Sequence, residues 1–301
     1  MNGKSIIAIA IVAIVVVSAA GVGIFFMGKQ NDNGGKTSDG GSLSFIDGRG
    51  VTVTFTERPQ RILSLGSAFT EMIFAMDAQD LIVGVDSTST YPDAARNKTN
   101  LGSAYSGLDL EKVIALDPDA VISWTYNNAT NDKLEARGYK VLAYYPKSIE
   151  AVMGLVQVIG NLTSHTAQST AIYNDMGNRL DAVKAKYSNE TSKPWVYAEL
   201  RNGKSPSKNT MTDSLLTLAG GMNINTDTAS ASVLISKETI VAAHPDYVFV
   251  EDQSTKTSAQ IASDYGIAVD HVVRLDGIKL TASPRIIILL EQVGAVLHPA
   301  E

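Results

Sequence analysis

Cysteine is absent from the 301 residues. Its absence excludes disulfides, thiolate metal sites, a cysteine nucleophile and a lipid anchor attached through cysteine. Histidine is scarce, with only His165, His244, His271 and His298, and no two of them have the spacing of a metal motif. A zinc- or manganese-type binding protein would therefore have to gather ligands from distant positions, and no metal site is expected. The chain also lacks G-x-S-x-G, H-E-x-x-H and the phosphate-binding loop, and nothing selects a catalytic pair of carboxylates. No enzyme is expected. Nor is there an excess of positive charge. The net charge of −6 gives no electrostatic reason to expect nucleic acid or an anionic membrane surface as a partner.

What remains is globular. The hydrophobic fraction is 45% and the charged fraction 19%, enough apolar surface for two modest domains. The first 27 residues stand apart. Ile6 to Met27 is an uncharged apolar stretch between Lys4 and Lys29. It is long enough to span a bilayer as a helix, whereas the apolar core of a signal peptide is about 7–15 residues. A retained anchor over 1–27 is the favoured expectation. Ser18-Ala19-Ala20 leaves a cleavable signal as the alternative, and either reading places the rest outside the cytoplasm. Residues 28–42 are rich in Gly, Asn, Asp and Ser without an apolar period, which predicts a flexible tether. Sequons at Asn97, Asn128, Asn161 and Asn189 lend weak support to export.

A short pattern occurs twice. Glu111-Lys-Val-Ile-Ala-Leu-Asp-Pro-Asp-Ala-Val-Ile-Ser123 is matched by Glu238-Thr-Ile-Val-Ala-Ala-His-Pro-Asp-Tyr-Val-Phe-Val250. The separations 238 minus 111, 245 minus 118 and 246 minus 119 are each 127. Each copy reads as a helix, a Pro-Asp break and an apolar strand suited to a parallel sheet buried on both faces. So wide a spacing predicts two similar α/β lobes rather than a solenoid. A cleft between lobes is where a small ligand binds.

The rest of the chain agrees. Strands are predicted over 51–55, 61–65, 81–85, 120–124 and 141–145, with helices at 68–76, 110–116 and 134–137. This alternation indicates a mostly parallel sheet in a lobe spanning 43–147. From 148 to 190, Val152, Leu155, Val156 and Ile159 keep helical spacing and Ile172, Met176, Leu180 and Val183 continue it. One or two helices should connect the lobes there, with an interruption near Asn161. The second lobe, 191–301, opens at Pro194 with a strand over 195–200. It continues with helices at 213–218, 238–242 and 284–297 and strands at 247–250 and 272–275.

Several segments together resemble a known family. Arg58-Pro-Gln-Arg-Ile-Leu-Ser-Leu65, Thr70-Glu71-Met-Ile-Phe-Ala75, Ile82-Val-Gly-Val85 and Tyr91-Pro92 are similar to the first lobe of class III ABC-importer substrate-binding proteins. Leu110-Glu111, Pro118-Asp119, Leu218-Ala-Gly-Gly-Met-Asn223, Ser236-Lys-Glu238, Pro245-Asp246 and Ser283-Pro-Arg285 continue the likeness in order over about 45–301. The family serves cobalamin, haem and iron-siderophore uptake. The resemblance implies two α/β lobes joined by a long helix, a monomer tethered outside the cell membrane, and an ABC permease with its ATPase as partner. It also implies one glutamate per lobe docking on permease arginines, at Glu71 and Glu238. A lone exposed carboxylate suits bidentate recognition by guanidinium. An acidic residue in a first helical turn is equally favoured by the macrodipole, and Glu111, the repeat partner of Glu238, shows that the motif is also structural.

Side chains just beyond the strand ends face the crevice in open α/β sheets. That rule selects Ser67, Phe69, Tyr91, Trp124, Tyr126, Tyr144 or Tyr145, Glu199, Arg201, Asp276 and Arg285. Trp124 ends the repeated strand, where its repeat partner is Glu251. It either stacks on a flat macrocycle or packs the rim of its lobe. The resemblance implies that Trp124 matches an aromatic contact of cobalamin-binding members, whereas Thr281 replaces a basic one. A corrinoid is the first expectation and a ferric siderophore or haem the second. No bound cofactor is expected.

Overall fold

The computed structural model describes residues 42–187, 192–200, 203–252, 254–275 and 280–299. The expected anchor over 1–27, nearly all of the tether, and the cleft candidates Arg201 and Asp276 lie outside the described residues. Among the described residues no helix is long and apolar enough to cross a membrane.

The first lobe begins with a hairpin, β1 (Leu43–Ile46) and β2 (Thr52–Phe55). β3 (Ile62–Leu65), α1 (Ser67–Ala75) and β4 (Ile82–Val85) follow. A two-residue ribbon, β5 (Gly102–Ser103) and β6 (Gly107–Leu108), precedes α2 (Leu110–Leu116), β7 (Ala120–Trp124), α3 (Asn128–Glu135) and β8 (Val141–Tyr144). The connection is a pair of helices, α4 (Ile149–Leu162) and α5 (Thr166–Tyr187), which pack on each other. The break falls at Thr163-Ser164-His165, where Ser164 has φ 63°. The second lobe comprises β9 (Trp195–Glu199), β10 (Ser205–Pro206), α6 (Met211–Leu218), β11 (Met222–Asn223), β12 (Ser232–Val233), α7 (Lys237–Ala242), β13 (Tyr247–Glu251), α8 (Ser258–Tyr265), β14 (Val272–Leu275) and α9 (Ile286–Leu297).

Each lobe is built on a four-stranded sheet, ordered β4-β3-β7-β8 in the first and β11-β9-β13-β14 in the second. Every pairing in both is parallel. The 127-residue repeat carries α2 onto α7 and β7 onto β13, in the same place in each sheet. The helix caps repeat as well. The Asp109 side chain accepts from Lys112 N and the Ser236 side chain from Thr239 N, each satisfying a donor that the first turn leaves open.

The break between helix and strand differs from expectation. The residue before each proline is not extended. Asp117 has φ 42° and His244 φ 46°, left-handed conformations that turn the chain at the helix end, with Asp117 N donating to Val113 O and Ile114 O. The next aspartate fixes the neighbouring strand. Asp119 accepts from the backbone N–H of Gln60 and Arg61 at 2.7 and 3.0 Å, just before β3. Asp246 accepts from Trp195 N at 2.7 Å, at the start of β9.

The largest core runs through both lobes. Phe69, Met72 and Ile73 of α1 belong to the same buried cluster as Val152, Val156 and Ile159 of α4, Leu215 and Leu216 of α6, and Leu289 and Leu290 of α9. Separate clusters cover the other face of each sheet, around Val121 and Leu134 in the first lobe and around Val248 and Ile261 in the second. This continuity makes the inter-lobe angle a packed feature, since close-packed interiors resist continuous deformation. α8 escapes the sequence reading. Its signal is a capping box, with Thr257 and Gln260 each binding the other's backbone N–H.

Candidate functional site

β7 and β8 of the first lobe end beside a groove between the lobes, and aromatic rings cluster at those strand ends. Trp124 is the last residue of β7. Its carbonyl accepts from Asn131 Nδ2 of the following helix at 2.9 Å, which holds the turn in place. Gly66 allows the indole to rest on the start of α1, because a Cβ there would overlap the ring. Phe69, fully buried, backs the indole with ring centres 4.3 Å apart. Tyr126 lies nearly parallel to Trp124, at 5.6 Å and 10°. Tyr145 stands edge-on to both, at 6.4 and 5.6 Å.

Tyr126 is 50% and Tyr145 41% exposed. Burial, the largest effect, pushes the Tyr126 phenol up, with the nearby Tyr145 and Asp86 adding to it, so it stays neutral at physiological pH. Stacked and edge-on rings at these distances stabilise one another. An exposed group of them is a surface left for a partner or ligand. Of the two adjacent tyrosines, Tyr144 turns into the core and Tyr145 joins the ring cluster, as the alternation of a strand requires. Beside the rings runs a groove of about 760 Å³. Thr125, Tyr145 and Lys147 bound it on one side and Asn209, Thr210 and Asp213 of the second lobe on the other. Its volume lies in the range of small-molecule sites.

The remaining candidates are placed differently. Ser67 opens α1 beside the rings. Glu199, at the end of β9, accepts from the hydroxyls of Tyr197 and Tyr265 at 3.3 and 3.1 Å. Glu71 is not the exposed carboxylate expected of a docking residue. It is 5% exposed and forms a bidentate pair with Arg285, Nε to Oε1 at 2.5 Å and Nη2 to Oε2 at 2.7 Å. Ser283 Oγ donates to the same carboxylate at 2.5 Å. The physical reason is packing all round the helix: Ala68 to Ile73 are all buried, so this part of α1 has no solvent face and Glu71 meets its partners inside.

Arg285, expected to face a ligand, directs two of its nitrogens at Glu71. The Tyr91 ring lies 3.6 Å from its guanidinium carbon. The exposed carboxylate that pairs with Glu238 is Glu111. Both occupy the first turn of their helices, 127 residues apart, and both are exposed. The repeat carried this signal in the sequence. The backbone N–H of Glu238, then the Ser236 hydroxyl, hold the Glu238 carboxyl below the usual carboxylate range. Among the described residues no group of three or more His, Asp or Glu is placed to hold a metal ion.

A family model for periplasmic binding proteins matches residues 62–266. The chain belongs to this family. It is a family of binding proteins, not enzymes. The chain is 30% identical over 208 residues to the cobalamin-binding protein of Halobacterium salinarum strain R1, covering 67% of this chain and 56% of that protein. It therefore spans a little over half the length of that relative. The structure superposes on the periplasmic vitamin B12 binding protein BtuF of Vibrio cholerae with a TM-score of 0.71 at 20% identity, covering 80% of this chain and 97% of the other. It also superposes on a periplasmic heme binding protein of Pseudomonas aeruginosa with a TM-score of 0.69 at 25% identity, covering 80% and 94%. The family fold of two α/β lobes around a long helix is the fold described above.

Proposed function

We propose that this protein is the extracytoplasmic substrate-binding component of an ABC importer and that it captures a corrinoid between its lobes. The observation that carries the reading is the aromatic wall of Trp124, Tyr126 and Tyr145 at the ends of β7 and β8. A flat macrocycle gains most from such a surface, because ring stacking rewards area without demanding charge. The cobalamin-binding relative supports the same ligand class. So does the engagement of Arg285 by Glu71, which turns two guanidinium N–H groups away from the carboxylates or phenolates of an anionic iron chelate.

Delivery would use one carboxylate per lobe. Glu111 and Glu238, exposed at equivalent helix starts, take that role, and Glu71 does not. A partner permease would offer an arginine to each. Residues 1–27 would tether the protein to the outer face of the membrane and 28–42 would give it reach, the protein acting as a monomer.

The test is calorimetric titration of residues 43–301 with cyanocobalamin, cobinamide, haem and a panel of ferric siderophores, with Trp fluorescence followed in parallel. Submicromolar corrinoid binding that quenches Trp124 is the expected result. Haem is the second reading, because the wall suits a porphyrin equally and a haem-binding protein shares the fold. Binding of haem alone would replace the first reading with the second. For docking, Glu111→Arg with Glu238→Arg should abolish transport in a reconstituted importer while ligand affinity stays unchanged. Undiminished transport would remove the assignment.

A further inference from the structure

We propose that Arg285 is the key of an inter-lobe clasp, gripped by Glu71 and Tyr91, and that these are positioning residues which set the separation of the lobes. The functional part of this inference rests on the cleft being the ligand site. Glu71 lies in α1 of the first lobe. Ser283 and Arg285 lead into α9, which packs on α5 and on α6 of the second lobe. The contact therefore joins segments 214 residues apart across the line where the lobes meet. The guanidinium is held in two directions. Its edge meets the Glu71 carboxylate in a fork of two hydrogen bonds, and its face is covered by the Tyr91 ring at 3.6 Å.

The two jaws are one unit. Tyr91 is carried by the loop after β4, and that loop is tied to α1 by a buried run of hydroxyls. Asp86 Oδ1 accepts from Ser89 Oγ at 2.8 Å, Ser89 Oγ shares a hydrogen with Thr70 Oγ1 at 2.8 Å, and Thr70 Oγ1 meets Ser64 Oγ at 2.7 Å. Thr70 is the neighbour of Glu71. α1 also carries Phe69, the ring that backs Trp124. One short helix thus touches the aromatic wall with Phe69 and the opposite lobe with Glu71. Any shift of the wall against a ligand is transmitted to the clasp, and any loosening of the clasp moves the wall. Tyr91, 40% exposed, is held in place by the same guanidinium.

The absence of cysteine makes a direct test simple. Lys133→Cys in α3 and Ala259→Cys in α8 give one spin-label site per lobe, and the distance distribution between them is measured without ligand. Arg285→Lys keeps the charge but loses the fork, and Tyr91→Ala uncovers the guanidinium face. Both should broaden or lengthen the distribution, whereas Tyr91→Phe should leave it as in the parent. The release rate of cyanocobalamin, followed by Trp fluorescence, should rise about tenfold in the first two variants. A distribution unchanged in both Arg285→Lys and Tyr91→Ala overturns the clasp. If cyanocobalamin fails to bind the parent protein, the ligand reading fails, and the distance measurement still decides the clasp.

Discussion

The two lobes share a skeleton and differ at the ends of their strands. In both, a helix capped by Asp109 or Ser236 stops at a left-handed residue. A Pro-Asp pair follows, and the aspartate binds the backbone at the start of the neighbouring strand. At the end of that strand the first lobe places Trp124 and the second Glu251. In the first lobe the strand ends carry a cluster of rings. In the second, Glu199 is held by two tyrosine hydroxyls. The repeated part does structural work that any lobe of this kind needs, and the part that departs from the repeat is where ligand chemistry can differ. The exposed Glu111 and Glu238 are the exception. They repeat and remain at the surface, as suits a partner that meets both lobes alike.

The largest effect is expected at the contact the lobes share. Glu71→Gln replaces the buried carboxylate that accepts from Ser283 and from the Arg285 guanidinium with a neutral amide. Loss of one partner of such a pair costs about 3–5 kcal/mol, and urea unfolding of the variant should show a loss of that order. At the cleft the lobes should respond unequally. Trp124→Ala should weaken ligand binding by about 2 kcal/mol, the size expected for a central aromatic anchor. Glu251→Gln, at the equivalent place in the second lobe, should change affinity by less than about threefold in the same titration, well inside the spread of near-neutral contacts. Equal losses would mean that the rings hold no special place.

In the skeleton the lobes should respond alike. Asp119→Ala and Asp246→Ala each remove a carboxylate that accepts backbone N–H groups. Each should lower stability by about 1–3 kcal/mol, with Asp119 the more costly because it accepts two such bonds and Asp246 one.

The smallest effect is a pH dependence confined to the second lobe. Lys237 and Lys256 bind the Asp264 carboxylate at 2.9 and 2.8 Å and hold it at about 2, below its ordinary 3.8. A carboxyl depressed on folding contributes stability above its unfolded value and loses it as the pH falls through the folded one. The urea midpoint of the parent should therefore exceed that of Asp264→Asn at pH 5, and the two should converge as the pH falls from about 4 to below 2. A gap that persists undiminished as the pH falls through 2 would assign the effect to packing.

Much of this architecture was legible in the chain. The strands at 120–124 and 272–275 and the helix at 110–116 fall where apolar runs and the Pro-Asp break put them, since buried parallel strands read as continuous apolar segments. Trp124, Tyr126 and Tyr145 were selected by the rule that crevice residues follow strand ends. Glu71 is expected at the surface and is buried against Arg285, since a carboxylate near a helix start looks the same on paper whether it faces water or a distant arginine. Glu111 and its repeat partner Glu238 are both exposed, a pairing that the 127-residue repeat already contains.

Two lobes, parallel sheets, a helical connection and the family follow from the amino-acid order, because each rests on local periodicity, on proline and capping chemistry, or on a repeat within the chain. Which carboxylates stay at the surface depends on packing between distant elements. Glu71 meets Arg285 across 214 residues, and no local pattern fixes a contact between elements that become neighbours only when both lobes have packed. The two sides of α1, Phe69 under the aromatic wall and Glu71 on the arginine, take their contacts from that packing.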